Sequence, residues 1–230
     1  MKTVLITGAN RGLGLEFAKQ YLEQGNRVIA TARDLEKAKE LQGLARQFPE
    51  TLTLHVLDVT DAASRKQLAR DLDNQPIHLL INNAGVSGGW GSFGKLDEAA
   101  WLQVLHANAI APIKMVEALR ANLANAEAAT VAILSSKMGS MADNTSGGSY
   151  IYRSSKAALN AAAKSLAIDL AGENIKVAIL HPGWVRTDMG GPNGLIDAPA
   201  SVSGLRRVIA GLTKNQCGQF IAYDGTVIPW

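Results

Sequence analysis

Short runs of β-branched and aliphatic residues alternate with longer amphipathic stretches from one end of the chain to the other. The runs fall at 3–7, 27–31, 51–57, 77–82, 130–135, 176–180 and 219–223. Several are apolar at consecutive positions, as in Val131-Ala132-Ile133-Leu134, the pattern of a strand covered on both faces. Between them the spacing predicts helices near 13–24, 35–47, 62–73, 98–124, 150–171 and 200–213, with Asp34, Asp61 and Asp97 as N-caps. Such alternation predicts an α/β fold: a parallel, doubly wound sheet of about seven strands with helices on both faces and right-handed crossovers. No long linker, repeat or low-complexity tract interrupts the order, so 1–230 reads as a single domain. The segment from Gly183 to Pro199 differs in texture, mixing glycine and proline with apolar residues, and predicts a functional lid at about 188–203.

Composition narrows the function classes. Of the 230 residues 47% are hydrophobic and 19% charged, an ordinary globular balance, and the formal net charge is +3. Lys and Arg are interspersed with Asp and Glu rather than gathered in a run, which argues against nucleic acid as a partner. One cysteine and four histidines offer no metal-ligand spacing, so no metal is expected. The lone Cys217 suits a reducing compartment, and no apolar stretch is long enough for a signal peptide or membrane span. The expectation is a cytoplasmic protein with no membrane partner.

The candidate chemistry begins directly after the first run, at Thr7-Gly8-Ala9-Asn10-Arg11-Gly12-Leu13-Gly14, followed by an amphipathic helix. A strand leading through glycines into a helix lets the backbone approach a pyrophosphate, whose charge meets the helix N-terminus. The spacing is T-G-x-x-x-G-x-G rather than G-x-G-x-x-G. Three more motifs follow in order: Asn82-Asn83-Ala84-Gly85 after the fourth run, Tyr152-Arg153-Ser154-Ser155-Lys156 at a helix start, and Pro182-Gly183-Trp184-Val185-Arg186-Thr187 after the sixth run.

Together these resemble the short-chain dehydrogenase/reductase family, and most of all its carbonyl-reductase-like and C-factor-like members. The resemblance implies a Rossmann fold and a hydride transfer between a nicotinamide cofactor and a small carbonyl or alcohol substrate. It places Gly8, Asn10, Arg11, Gly12, Leu13, Gly14, Asn83, Ala84 and Gly85 against the cofactor, with Pro182, Gly183, Val185 and Thr187 near the nicotinamide. Asp58, with Val59 beside it, resembles the family's adenine-contacting acid; the alternative is a turn or cap residue.

Arg33 follows the second strand directly, where arginine accommodates the 2′-phosphate of NADP and a carboxylate grips the ribose of NAD. Arg11 and Arg33 together point to NADP(H), since a guanidinium matches phosphate through paired hydrogen bonds. Asp34, beside Arg33, is a carboxylate of the kind that favours NAD, but it is equally placed to cap a helix starting at Leu35, and that reading is preferred.

Tyr152 and Lys156 stand four apart and share a helix face. In the resemblance they are the proton donor and its activator, an adjacent ammonium being expected to lower the phenol's pKa from about 10. Ser136, rather than Ser135, is taken to hold the substrate oxygen, and Asn108 to relay protons through water to Lys156. Tyr150 lacks a lysine four residues on. His106 and His181 suggest a Ser–His hydrolase, but no G-x-S-x-G turn is present.

Two rivals are an NADP(H)-binding signalling protein of the C-factor-like type and an extended-branch epimerase, the latter expected to carry a larger C-terminal region. Trp90, Phe93, Trp184, Met189, Leu195 and Ile196 are candidates for an apolar pocket. Ala157, Ala158, Ala161, Ala162 and Ala163 on the helix after Tyr152 suggest close helix approach in a homo-oligomer, a dimer or tetramer.

Overall fold

The computed structural model describes residues 1–89 and 93–230. Seven strands, β1 (Thr3–Ile6), β2 (Arg27–Ala32), β3 (Leu52–Val56), β4 (Leu79–Asn82), β5 (Ala129–Leu134), β6 (Ile175–His181) and β7 (Phe220–Ala222), form one sheet in the order β3-β2-β1-β4-β5-β6-β7. Every pairing is parallel.

Consecutive apolar residues are explained by two cores, one on each face. Leu5, Leu80, Val131, Ile133, Val177 and Ile179 point to one side, while Val4, Ile6, Ile81, Ala132, Ala178 and Leu180 point to the other. Alternate side chains leave opposite faces of a strand, so a strand buried twice must be apolar throughout. The first face is covered by α3 (Ala62–Asp71), α5 (Ala111–Ala118) and α7 (Tyr150–Asp169), through residues such as Leu68, Met115 and Leu159. The second is covered by α1 (Gly12–Glu23), α2 (Lys39–Gln47) and α8 (Ala198–Gly211), through Phe17, Leu41 and Leu205.

Two expected caps form: Asp61 accepts from the N–H groups of Ala63 and Ser64, and Asp97 from that of Ala100, opening α4 (Glu98–Leu105). Asp34 does not cap a helix at Leu35. It accepts the Lys37 N–H as a cap would, but Ala38 leaves helical backbone (ψ 56°) and α2 starts only at Lys39.

The single helix expected over 98–124 is also corrected. After α4 the backbone makes a π turn at His106–Ile110, then α5, then a short α6 (Arg120–Ala124). Pro112 has no N–H to give the Asn108 carbonyl four residues earlier, and its ring crowds that carbonyl. Widening the turn, with Ala111 N–H bonding His106 O, relieves the clash. The expected lid at 188–203 overlaps α8, in which Ser201 and Val202 are fully buried, so its last residues belong to the packed body. Among the described residues no helix is long and apolar enough to cross a membrane.

Candidate active site

The sheet order reverses between β1 and β4, which leaves a crevice beyond the carboxyl ends of those strands. The glycine turn lies in it and is held from β4. Thr7 Oγ1 accepts the N–H groups of Asn83 and Ala84, both at 3.0 Å, while Asn83 Nδ2 donates to the Thr7 and Gly8 carbonyls at 2.9 and 3.0 Å. Gly8 and Gly12 take φ of +65° and +55°, a region that side chains disfavour. A Cβ on Gly14 would stand 2.2 Å from Gly8 O, so the turn closes on its own helix only because Gly14 has none. No side chain caps α1 and no acid stands in its first turn, which leaves its N–H groups facing the crevice.

A cleft of about 570 Å³ runs from this turn in both directions. One end is lined by Arg33, Asp34, Lys37, Asp58, Val59 and Thr60; the middle by Gly8, Asn10, Arg11, Gly12 and Leu13, facing Asn83, Ala84 and Gly85. The other end is lined by Tyr152, Lys156, Pro182, Thr187 and Met189. Anion-binding backbone at the centre and basic side chains at one end fit a phosphate-bearing dinucleotide. Three residues expected on the cofactor are not among those lining the cleft. Gly14 packs within the turn, a Cβ on Gly183 (φ +86°) would touch the Tyr223 ring at 3.0 Å, and Val185 is buried in a bridge to Ile196.

Arg11 does not stand free for a phosphate. Its guanidinium reaches across the cleft to Asp188, at 3.0 Å. Asp58 is held below the usual carboxylate range, first by the Thr60 hydroxyl and in part by Arg33.

At the far end, α7 begins at Tyr150, so Tyr152 and Lys156 occupy its first two turns. Lys156 is buried, donates from Nζ to Leu134 O at 2.9 Å, and stands 5.8 Å from the Tyr152 ring centre. Burial pushes its pKa down to about 8. Burial also pushes the Tyr152 phenol up, with the Ser136 hydroxyl offsetting part of that rise. In the free protein the phenol therefore moves opposite to the expected direction, because loss of water around it outweighs the hydrogen bond that lowers it.

The two serines diverge as neighbours on an extended chain must. Ser135 lines the cleft wall but its hydroxyl is turned to Asn160 Oδ1 at 2.5 Å, and the residue is only 3% exposed. Ser136 faces Tyr152, its Oγ accepting the Met138 N–H at 3.2 Å. A Cβ on Gly139 would lie 2.8 Å from the Lys156 backbone, so this turn packs directly on α7. Asn108, fully buried in the π turn, exchanges two bonds with Val86, both at 2.8 Å, and donates to Ser155 Oγ at 3.0 Å.

Sequence reasoning missed Ser155 and Asn160, although both fall three or four residues from members of the Tyr152–Lys156 face. It also missed Lys37 and Asp188, which no local pattern marks. Of the apolar candidates, Met189 lines the cleft, Phe93 packs beside Tyr150 at 6.1 Å between ring centres, and Trp184 and Leu195 are exposed. Ile196 is half-buried against Val185, and Trp90 lies outside the described residues. No group of three or more His, Cys, Asp or Glu among the described residues is placed to hold a metal ion.

Comparison with known proteins agrees with this arrangement. The short chain dehydrogenase family model matches residues 2–194. C-signal of Myxococcus xanthus is 45% identical over 165 residues, which span 72% of this chain and 99% of that protein. The carbonyl reductase Sniffer of D. melanogaster superposes with a TM-score of 0.95 at 35% identity, over 100% of both chains. An NADPH-bound carbonyl reductase from chicken fatty liver does so at 0.94 and 34% identity, over 100% of this chain and 99% of that one. With the family model spanning most of its length and the sheet, glycine turn and Tyr–Lys helix all in place, the chain belongs to the short-chain dehydrogenase family of oxidoreductases.

Proposed function

We propose that this protein interconverts a carbonyl and an alcohol with NADP(H), using Tyr152 as general acid and base. The observation that carries the reading is a single cleft with Arg33 at one end and the Tyr152–Lys156 pair at the other, joined by the glycine turn. The NADPH-bound state of the chicken enzyme supports the cofactor. Reduced nicotinamide, when bound, supplies a hydride to the carbonyl carbon. Tyr152 gives its phenolic proton to the carbonyl oxygen, and Ser136 donates a hydrogen bond that orients that oxygen. Lys156 holds positive charge beside the phenol and is placed to bond the nicotinamide ribose. The Asn108 carbonyl, which receives no bond from Pro112, offers a site for water returning protons toward Lys156. The identity with C-signal favours one second reading, an NADP(H)-binding signalling protein without turnover.

Cofactor titration tests the first reading. NADPH is expected to bind more tightly than NADH, and Arg33→Ala to weaken NADPH selectively; equal affinities in the parent would sink the NADP(H) assignment. Oxidation of NADPH in the presence of aldehydes, ketones or quinones then separates enzyme from signalling module.

The reading also proposes a mobile cover, now confined to 188–197. This segment is tied mainly to the four residues just before it, by bonds such as Leu195 N–H to Trp184 O at 2.7 Å and the Trp184 indole to Gly190 O at 2.7 Å. Hydrogen exchange there should be fast in the free protein and slow with NADP(H) bound, since closure excludes water from the reacting atoms. Unchanged protection would remove the lid.

Assembly as a dimer or tetramer is proposed through α4, α5 and α7. Ala163 is buried and Ala158 packs against the core, but Ala157 and Ala162 are half-buried and Ala161 is exposed, and Leu102, Ile110 and Ile168 of the same helical layer are exposed too. Light scattering at micromolar concentration should give twice or four times the chain mass, and a monomer would count against it.

A further inference from the structure

The arginine-bearing end of the cleft contains an acid that ought to work against NADP(H). Asp34 lines it next to Arg33, with Asp58 and Glu40 on the same wall. A free carboxylate just beyond the second strand can accept from a ribose 2′-hydroxyl and repels a 2′-phosphate. Asp34 is not free. Lys37 takes both of its oxygens: the Lys37 backbone N–H donates to Oδ1 at 3.1 Å, and the Lys37 ammonium pairs with Oδ2 at 2.9 Å. These two contacts hold the Asp34 carboxyl below the usual range, so it stays charged and engaged. The Lys37 side chain is itself 87% exposed and lines the cleft, within the same short loop as Arg33. Ala38 breaks the helical backbone directly after it, which keeps Lys37 in the loop rather than one turn up α2.

We infer that Lys37 is a cofactor-specificity residue, which neutralises Asp34 and presents a second cation, beside Arg33, to the 2′-phosphate. The inference rests on the NADP(H) reading and adds to it: Arg33 alone would share its end of the cleft with an unpaired carboxylate. Of the charged groups lining this end, Arg33 and Lys37 are positive while Asp34, Asp58 and Glu40 are negative. Removing Lys37 leaves one cation among three acids, an environment suited to a ribose hydroxyl rather than a phosphate dianion.

The test uses adenosine 2′,5′-bisphosphate and 5′-AMP, which probe this end of the cleft without any turnover. Calorimetry on the whole protein should give the parent a clear preference for the bisphosphate. Lys37→Ala should weaken the bisphosphate roughly tenfold, about the loss of one charge-assisted hydrogen bond, with 5′-AMP unchanged or tighter. Adding Asp34→Asn, which keeps an oxygen for the backbone N–H of residue 37 but removes the charge, should recover part of that loss, the remainder being the missing second cation. Both positions are solvent-facing and outside the helices, and retained 5′-AMP binding certifies the fold. A parent that prefers the bisphosphate while Lys37→Ala keeps the same ratio overturns the inference and leaves the NADP(H) reading standing. Failure of Asp34→Asn to recover affinity overturns the neutralising role. A parent with no preference overturns both.

Discussion

Replacing Tyr152 by Phe is expected to reduce turnover by ~10²–10⁴ while leaving NADPH affinity within a few-fold of the parent. The substitution removes only the phenolic oxygen, and the ring keeps its place in the first turn of α7. Neighbouring groups are engaged elsewhere or too weakly acidic to take over the phenol's proposed role: Lys156 donates to Leu134 O, Ser135 to Asn160, Tyr150 faces Phe93, and the Ser136 hydroxyl is a far weaker acid than a phenol. Turnover within threefold of the parent would remove Tyr152 from the mechanism. The serine pair supplies a companion result. Ser136→Ala should cost more activity than Ser135→Ala, whose hydroxyl is spent inside the protein, and the opposite order would reassign the oxyanion contact. The pH dependence follows from the same burial. Lys156 loses its proton as pH rises through about 8, whereas the phenol, pushed up, keeps its own. Carbonyl reduction should therefore fall as pH rises past about 8, and a rate flat to pH 10 would show that the ammonium is not needed.

Gly14→Ala is expected to abolish measurable dinucleotide binding and to destabilise the fold by about 1–3 kcal/mol. The new Cβ would meet Gly8 O at 2.2 Å and Asn83 Nδ2 at 2.6 Å; the first is backbone, and the second is held by its bonds to the Thr7 and Gly8 carbonyls. Moving the Gly8 carbonyl breaks its bond from Asn83, and with it the tie between the glycine turn and β4. Gly43→Ala is the matched control: it lies in α2, where a Cβ meets only the end of Arg46 at 3.8 Å. That change should be neutral or stabilise by about 0.5–1 kcal/mol, since alanine favours a helix interior over glycine. Thermal unfolding and NADPH titration read both variants. If Gly14→Ala bound NADPH like the parent, the turn would not be the rigid cradle described here.

What the sequence by itself determined is what local chemistry dictates. Consecutive apolar positions in 131–134 require cover on two faces, and the alternation of such runs with helical stretches selects a parallel sheet between helix layers. Asp61 and Asp97 cap because the N–H groups they satisfy are two or three residues away. Tyr152 and Lys156 share a face because four residues make about one helical turn. The π turn at Asn108 was legible in principle, since Pro112 withholds the N–H that an unbroken helix needs.

The tertiary structure decided whatever depends on distant partners or on water. Arg11 meets Asp188 from 177 positions away, and no pattern near either residue announces the pair. Asp34 accepts from the Lys37 N–H as a helix cap would, but the backbone at Ala38 leaves the helical path, so no helix follows from Leu35. Asn160 claims the Ser135 hydroxyl from 25 positions away, a partner that no pattern near Ser135 announces. The proton affinity expected of the Tyr152 phenol from its spacing to Lys156 fails for the same reason. Spacing along a helix gives the distance between two charges, but only folding sets how much water remains around them, and for this pair the missing water dominates.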